Sequence, residues 1–158
     1  MSGAVHSESV AVAADHAGFE LKTILKAELE AEGYCVIDLG THSVDSVDYP
    51  DFGQAIACAI EEGRAGWGVA VCGTGIGISI AANRYPGARA ALCHDAETAR
   101  LGREHNDANI LALGARILDV DTAKDCLTAF RTTPFGGGRH DARVAKLRHS
   151  PTCTGTKE

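Results

Sequence analysis

A cysteine stands where an apolar run breaks into glycines, in Val69-Ala70-Val71-Cys72-Gly73-Thr74-Gly75-Ile76-Gly77-Ile78-Ser79. Gly73, Gly75 and Gly77 let backbone N–H groups converge on a ligand, and a helix starting just beyond them adds unsatisfied donors and a partial positive charge. Such a turn suits a phosphate or an oxyanion equally well. The same field favours a thiolate at Cys72, the form of cysteine that acts as base or nucleophile. Free cysteines are as often small, inert, buried hydrophobes, so Cys72 in isolation reads equally as packing.

Asp15-His16-Ala17-Gly18 offers a carboxylate and an imidazole at another strand-to-helix boundary, where an Asp ordinarily caps the helix and a His is a solvated first-turn residue. Asp48-Tyr49-Pro50 sets a phenol in a long loop, a pattern that turn chemistry alone also explains. His105 and Asn106, in Arg103-Glu104-His105-Asn106-Asp107-Ala108-Asn109, fall between a helix end and a strand start. A role beside Cys72 of the same chain is awkward from there, and a site shared between subunits removes the difficulty. Gly136-Gly137-Gly138-Arg139-His140-Asp141-Ala142-Arg143 spaces two arginines at i and i+4 at a glycine-led helix start. Both forks then face one way and can grip a phosphate, although a solvated basic face is the plainer reading.

The elements that must position these groups alternate between strand-like apolar runs and helical patterns, the signature of an α/β protein with a parallel sheet. Strands are expected over residues 10–14, 34–39, 67–71, 88–93 and 110–113. Helices are expected over 17–32, with Phe19, Ile24, Leu25 and Leu29 on the apolar side and Gly33 as a stop; around Phe52, Ile56, Ala59 and Ile60; from Ile78 onward; and over 96–104, 122–131 and 141–148. The architecture is a single-domain, three-layer αβα arrangement on a five-stranded parallel Rossmann/flavodoxin-like sheet. With strand order 2-1-3-4-5, the ligand crevice opens between strands one and three, which makes Asp15-His16 and the Cys72 turn neighbours.

A chain of 158 residues is long enough for one domain that buries roughly two-thirds of its unfolded surface. One unit over residues 1–149 is expected, with 150–158 as a disordered tail. The formal charge of −6 argues against nucleic acid, whose binding is dominated by Lys and Arg neutralising phosphates. An anionic substrate must then be held by local positive charge, which Arg131, Arg139, Arg143, Lys146 and Arg148 supply against Asp141 alone. No stretch approaches the ~20 apolar residues of a membrane span, and no basic segment leads into a long apolar run, so a soluble cytoplasmic protein is expected. Six scattered cysteines without a C-x-x-C pair fit reduced thiols better than zinc or disulfides; Cys35, Cys58, Cys93 and Cys126 lie in apolar segments as packing residues and Cys153 in a polar tail.

Taken in order, Asp15-His16-Ala17-Gly18, Asp48-Tyr49-Pro50, Cys72-Gly73-Thr74-Gly75-Ile76-Gly77, His105-Asn106-Asp107-Ala108-Asn109 and Gly138-Arg139-His140-x-x-Arg143-Val144 resemble the motifs of type B ribose-5-phosphate isomerases, over about residues 9–148. The resemblance implies reversible conversion of D-ribose 5-phosphate to D-ribulose 5-phosphate through a cis-enediol, in the pentose phosphate pathway, without metal or organic cofactor. It implies Cys72 as the proton-transfer base, since family members that use glutamate carry it where this chain has Ile78. By the same match His105 with Asp15 opens the furanose ring, and Thr74 with the amides of Gly73, Gly75, Ile76 and Gly77 stabilises the enediolate. Tyr49 and Asn106 contact sugar oxygens, while His16, Arg139 and Arg143, with Arg116 and His140 as additions, hold the phosphate. The resemblance further implies a homodimer or homotetramer whose sites draw on two subunits.

These residue types suit that chemistry. An aldose–ketose shift needs one group to remove a carbon-bound proton and return it one carbon away, with fixed donors aimed at the developing oxyanion and a remote phosphate supplying binding energy for orientation. Relatives acting on allose, galactose or tetrose phosphates form the nearest alternative, although His16 and His105 match the ribose pattern. A nucleotide-binding module is a further one: G-x-G-x-x-G fails because its third glycine falls at Ile78, but Asp95 lies about where that motif places its ribose-binding acid. A cysteine phosphatase needs an arginine six residues after Cys72, where Ile78 again stands.

Overall fold

The structure, a computed structural model, describes residues 8–149, so the expected tail at 150–158, with Cys153, lies outside the described residues. Strands β1 (Ser9–Ala14), β2 (Cys35–Asp38), β3 (Trp67–Cys72), β4 (Ala90–Leu92) and β5 (Ile110–Gly114) form one parallel sheet. They alternate with helices α1 (Phe19–Ala31), α2 (Tyr49–Glu61), α3 (Ile76–Ala82), α4 (Ala96–Asn106) and α5 (Val120–Thr132), and a 3-10 turn (Gly138–His140) leads into α6 (Asp141–Leu147). The expected α/β architecture is present, but the strand order is β2-β1-β3-β5-β4 rather than 2-1-3-4-5. Composition explains the exchange. Ile110-Leu111-Ala112-Leu113 is wholly buried, whereas Ala90-Ala91-Leu92 is short, half-buried and flanked by Arg89 and His94, so β5 takes the interior and β4 the edge. The reversal between β1 and β3 is untouched, and the crevice at their carboxyl ends with it.

The pleat sends alternate strand residues into two cores. Val10, Val12, Val69, Val71, Leu111 and Leu113 share one core with Leu21, Leu25 and Leu29 of α1 and with α4 and α5. Ala11, Ala13, Ala70 and Cys72 belong to the other, with Ile56 and Ala59 of α2 and Ile78 of α3. On α1 the buried positions are Leu21, Lys22, Leu25 and Leu29, and Ile24 is exposed, contrary to the expected apolar side; 21, 25 and 29 form one stripe at helical spacing and 24 falls beside it. Cys35, expected to pack, is exposed, and Cys58 is half-buried. Cys93 and Cys126 are buried as expected, and burial pushes their thiols up to about 12 and about 11. No helix among the described residues is long and apolar enough to cross a membrane.

Lys22 is 1% exposed, and its ammonium donates to Asp38 Oδ1 at 2.6 Å and to the Thr41 carbonyl at 2.7 Å. Burial raises the Asp38 pKa, but Lys22, the Gly40 amide and Lys26 outweigh it and hold the carboxyl below its ordinary 3.8. That stability is present above the ordinary value and lost as pH falls through the lower native one. The pair also ties α1 to the loop behind the crevice, where Ala14 N donates to Gly40 O and Thr41 N to Ala14 O. Lys22→Met should lower stability by about 2 kcal/mol, less than for a buried carboxylate stripped of its sole partner because Lys26 remains. Denaturant unfolding at neutral pH measures the loss, which should shrink in acid as Asp38 protonates.

Candidate active site

At the carboxyl ends of β1 and β3 a cleft of about 200 Å³ brings together Asp15, His16, Tyr49, Cys72, Thr74 and Arg116. Cys72 is the last residue of β3, 3% exposed, and its Sγ accepts a hydrogen bond from the Gly75 amide at 3.2 Å. Gly75 has φ +76°, and a Cβ there would come within 2.6 Å of Leu92 Cδ1, so only glycine allows the chain to turn under the thiol. A Cβ at Gly77 would lie 2.6 Å from the Tyr49 ring; its absence admits the phenol over the turn. Tyr49 opens α2 rather than closing the preceding loop, and Pro50 fits that first turn because its missing N–H has no helical partner to lose. Likewise α3 starts at Ile76, earlier than expected.

Of the turn's amides, Gly75 N is aimed at sulfur and Ile76 N at Thr74 Oγ1 (3.2 Å), whereas those of Gly73, Thr74 and Gly77 make no hydrogen bond among the described residues. Asp15, 6% exposed, accepts from Gly18 N at 3.1 Å through Oδ1, so the ordinary turn-capping role occupies one oxygen only. His16 Nδ1 lies 3.1 Å from Val47 N and 3.2 Å from Val47 O, which leaves Nε2 for a ligand. Arg116, just after β5, donates its backbone N–H to Gly73 O at 2.9 Å, and its Nη1 would stand 3.1 Å from a Gly73 Cβ, so the guanidinium overhangs the turn.

His105, Asn106, Arg139, His140 and Arg143 do not line this cleft. Because α4 runs back against the strands, His105 and Asn106 reach the amino-terminal edge of the sheet, where Asn109 O accepts from Gly68 N; from Gly68 to Cys72 the strand then runs about 13 Å. At that edge two expected motifs meet. The His105 and His140 rings stack with centroids 4.4 Å apart at 15°, Gly136 N donates to Glu104 O at 2.9 Å, and Arg148 reaches Asp107 at 3.4 Å. Arg139 sits in the 3-10 turn and Arg143 in α6, both exposed and without a carboxylate partner among the described residues. Desolvation of the stacked ring, then the charges of His105, Arg139 and Arg143, hold His140 below the ordinary 6.5, with Glu104 opposing them. In an NMR pH titration His140 should titrate below 6.5 and Glu104→Gln should move it lower still; a value above 6.5 would contradict the stacked arrangement.

A family model described as ribose/galactose isomerase matches residues 10–147, a span that contains both the cleft and the histidine–arginine cluster. The chain belongs to the ribose/galactose isomerase family. Ribose-5-phosphate isomerase B of Escherichia coli K12 is 42% identical to it over 140 residues, 89% of this chain and 94% of that protein. The solved structure of ribose-5-phosphate isomerase B from Clostridium thermocellum superposes with a TM-score of 0.88 at 49% identity, covering 89% of this chain and 95% of that one. D-erythrulose-4-phosphate isomerase of Pectobacterium atrosepticum is 37% identical over 140 residues, 88% of this chain and 92% of that protein.

In this ribose/galactose isomerase Asp95 has another use than a nucleotide ribose. It is the N-cap of α4, accepting from Thr98 N at 2.7 Å while the Thr98 hydroxyl accepts from Asp95 N, a capping box that leaves the nucleotide reading without its acid. Ile78 is fully buried in the same core as Cys72, so its side chain contributes no polar group to the cleft. Sequence spacing passes over Lys22 and Asp38, which brace the isomerase crevice from behind. The one available signal was a lysine inside the apolar stripe of α1.

Proposed function

We propose that this isomerase interconverts D-ribose 5-phosphate and D-ribulose 5-phosphate through a cis-enediol, in the pentose phosphate pathway of the cytoplasm, with Cys72 as the proton carrier. Cys72 takes the C2 proton of the open-chain aldose and returns it to C1, while the proton on O2 passes to O1; nothing is oxidised or reduced overall. The unpaired amides of Gly73, Thr74 and Gly77, with the Thr74 hydroxyl, stabilise the oxyanion as it develops, without reorganisation. His105 with Asp15 opens the ring, Tyr49 and Asn106 contact sugar oxygens, and His16, Arg139 and Arg143, aided by Arg116 and His140, hold the phosphate.

The observation that carries this reading is a thiol under a backbone donor, in a cleft with a half-used Asp15 carboxylate and the Nε2 of His16, within a chain 42% identical to the E. coli ribose-5-phosphate isomerase B. Since His105, Asn106, Arg139, His140 and Arg143 stand at the far edge of the sheet, they enter a Cys72 cleft from a second copy, in a homodimer or homotetramer. Ile76 and Ile80, 51% and 61% exposed on α3 beside the cleft, supply an apolar patch suited to that contact. A second reading, a tetrose phosphate substrate, draws on the erythrulose-phosphate relative. Turnover of ribose, allose, galactose and erythrose phosphates compared side by side tests both: kcat/KM should be highest for ribose 5-phosphate, and a higher value on a tetrose phosphate would transfer the assignment.

A further inference from the structure

At the amino-terminal edge of the sheet, away from Cys72, lies a second cavity of about 270 Å³ whose wall includes Arg89, Arg103 and Arg131. Its wall sets three guanidiniums against two carboxylates, Asp107 and Glu8. Arg89, Arg103 and Arg148 all converge on the single carboxylate of Asp107, at 3.3, 3.0 and 3.4 Å. The Arg131 side chain is 17% exposed, and among the described residues its one ion pair is with Glu32 at 3.6 Å and its buried Nε has no hydrogen-bond partner. Burial lowers the Arg89 pKa, and the neighbouring Arg148 and Arg103 add to that against the pull of Asp107. A guanidinium withdrawn from water without its full set of acceptors is destabilising, and here the shortage occurs in a chain whose formal charge is −6.

We propose that this cavity is a second anion site that binds a small oxyanion of the phosphate class, free or as the head of a phosphorylated metabolite, on Arg131, Arg89 and Arg103. Forked guanidinium donors match the oxygens of such an ion. The cavity falls below the ~300–1,000 Å³ of sites for larger organic ligands, and Trp67 and Phe130 in its wall are 8% and 2% exposed, so a nucleotide base has no face to stack on. An anion here compensates the charge around Asp107, which directly follows His105 and Asn106. The site stands independently of the role given to Cys72.

Inorganic phosphate is the probe, titrated by calorimetry into the full chain carrying His16→Ala, Arg116→Ala, Arg139→Ala, His140→Ala and Arg143→Ala, which removes the proposed substrate clamp. One phosphate per chain should still bind. Adding Arg131→Met should weaken it at least tenfold, and phosphate should raise the melting temperature of the parent but not of this variant. Thr133→Glu, which sets a competing carboxylate in the same wall, should reproduce the loss if Arg131→Met fails to fold. Phosphate binding that disappears with the clamp, or that survives both substitutions, overturns the proposal. Competition with glycerol phosphate separates the two sources: displacement at lower concentration than phosphate itself identifies an ester as the ligand, and displacement only at equal or higher concentration identifies the bare ion.

Discussion

Cys72→Ala should lower kcat/KM for ribose 5-phosphate isomerisation by about 10³-fold or more, the upper part of the range for loss of a positioned acid–base group. That corresponds to about 4 kcal/mol of transition-state stabilisation. The dissociation constant for ribose 5-phosphate should change little, because the phosphate grip lies away from the reacting carbons and is shared by ground and transition states. Exchange of the C1 proton of ribulose 5-phosphate with solvent should stop in parallel. The variant should fold, since losing one sulfur from a site 3% exposed removes little buried volume, and although the Gly75 N–H loses its sulfur acceptor, the turn keeps the Arg116 N–Gly73 O and Ser79 N–Gly75 O hydrogen bonds. An alanine variant that isomerises normally would remove Cys72 from the mechanism.

Cys72→Ala and His105→Asn chains, each strongly impaired alone, should together recover about a quarter of wild-type activity when unfolded and refolded in equal amounts, because half of the dimers are mixed and one of the two sites in each mixed dimer keeps both residues. The expectation follows from the fold. Cys72 ends β3 at one edge of the sheet, and His105 lies in the last turn of α4 at the other. Were both residues serving one cleft within the same chain, refolding together would restore nothing, and the shared-site reading would fall. The two chains can carry different affinity tags, so that mixed dimers are isolated and their activity per site is read directly.

The crevice was legible because its residues ride on strand ends. Asp15, Cys72 and Thr74 follow apolar runs, and parallel pairing places every such end on one edge. Tyr49 was harder: whether a residue closes a loop or opens a helix depends on backbone angles and capping, which Asp48-Tyr49-Pro50 leaves open. The order of β4 and β5 was not legible, since relative burial of two short apolar runs is settled by the whole sheet. Lys22 escaped for a related reason. Periodicity ranks residues by apolarity and takes no account of a carboxylate sixteen positions away on β2 that neutralises a buried lysine.

By itself the sequence determined the chemistry on offer and the family: a thiol behind a buried strand, glycines that let amides converge after it, and five motifs in a fixed order. Strand ends already made Asp15-His16 and the Cys72 turn neighbours; only the tertiary structure decided that Tyr49 and Arg116 join them. Parallel strands all end on the same edge, so Asp15, His16, Tyr49, Thr74 and Arg116 gather around Cys72. The helix after β4 returns to the opposite edge, so His105, Asn106, Arg139, His140 and Arg143 gather there instead, beside a cavity whose convergence of Arg89, Arg103 and Arg131 no spacing in the sequence shows.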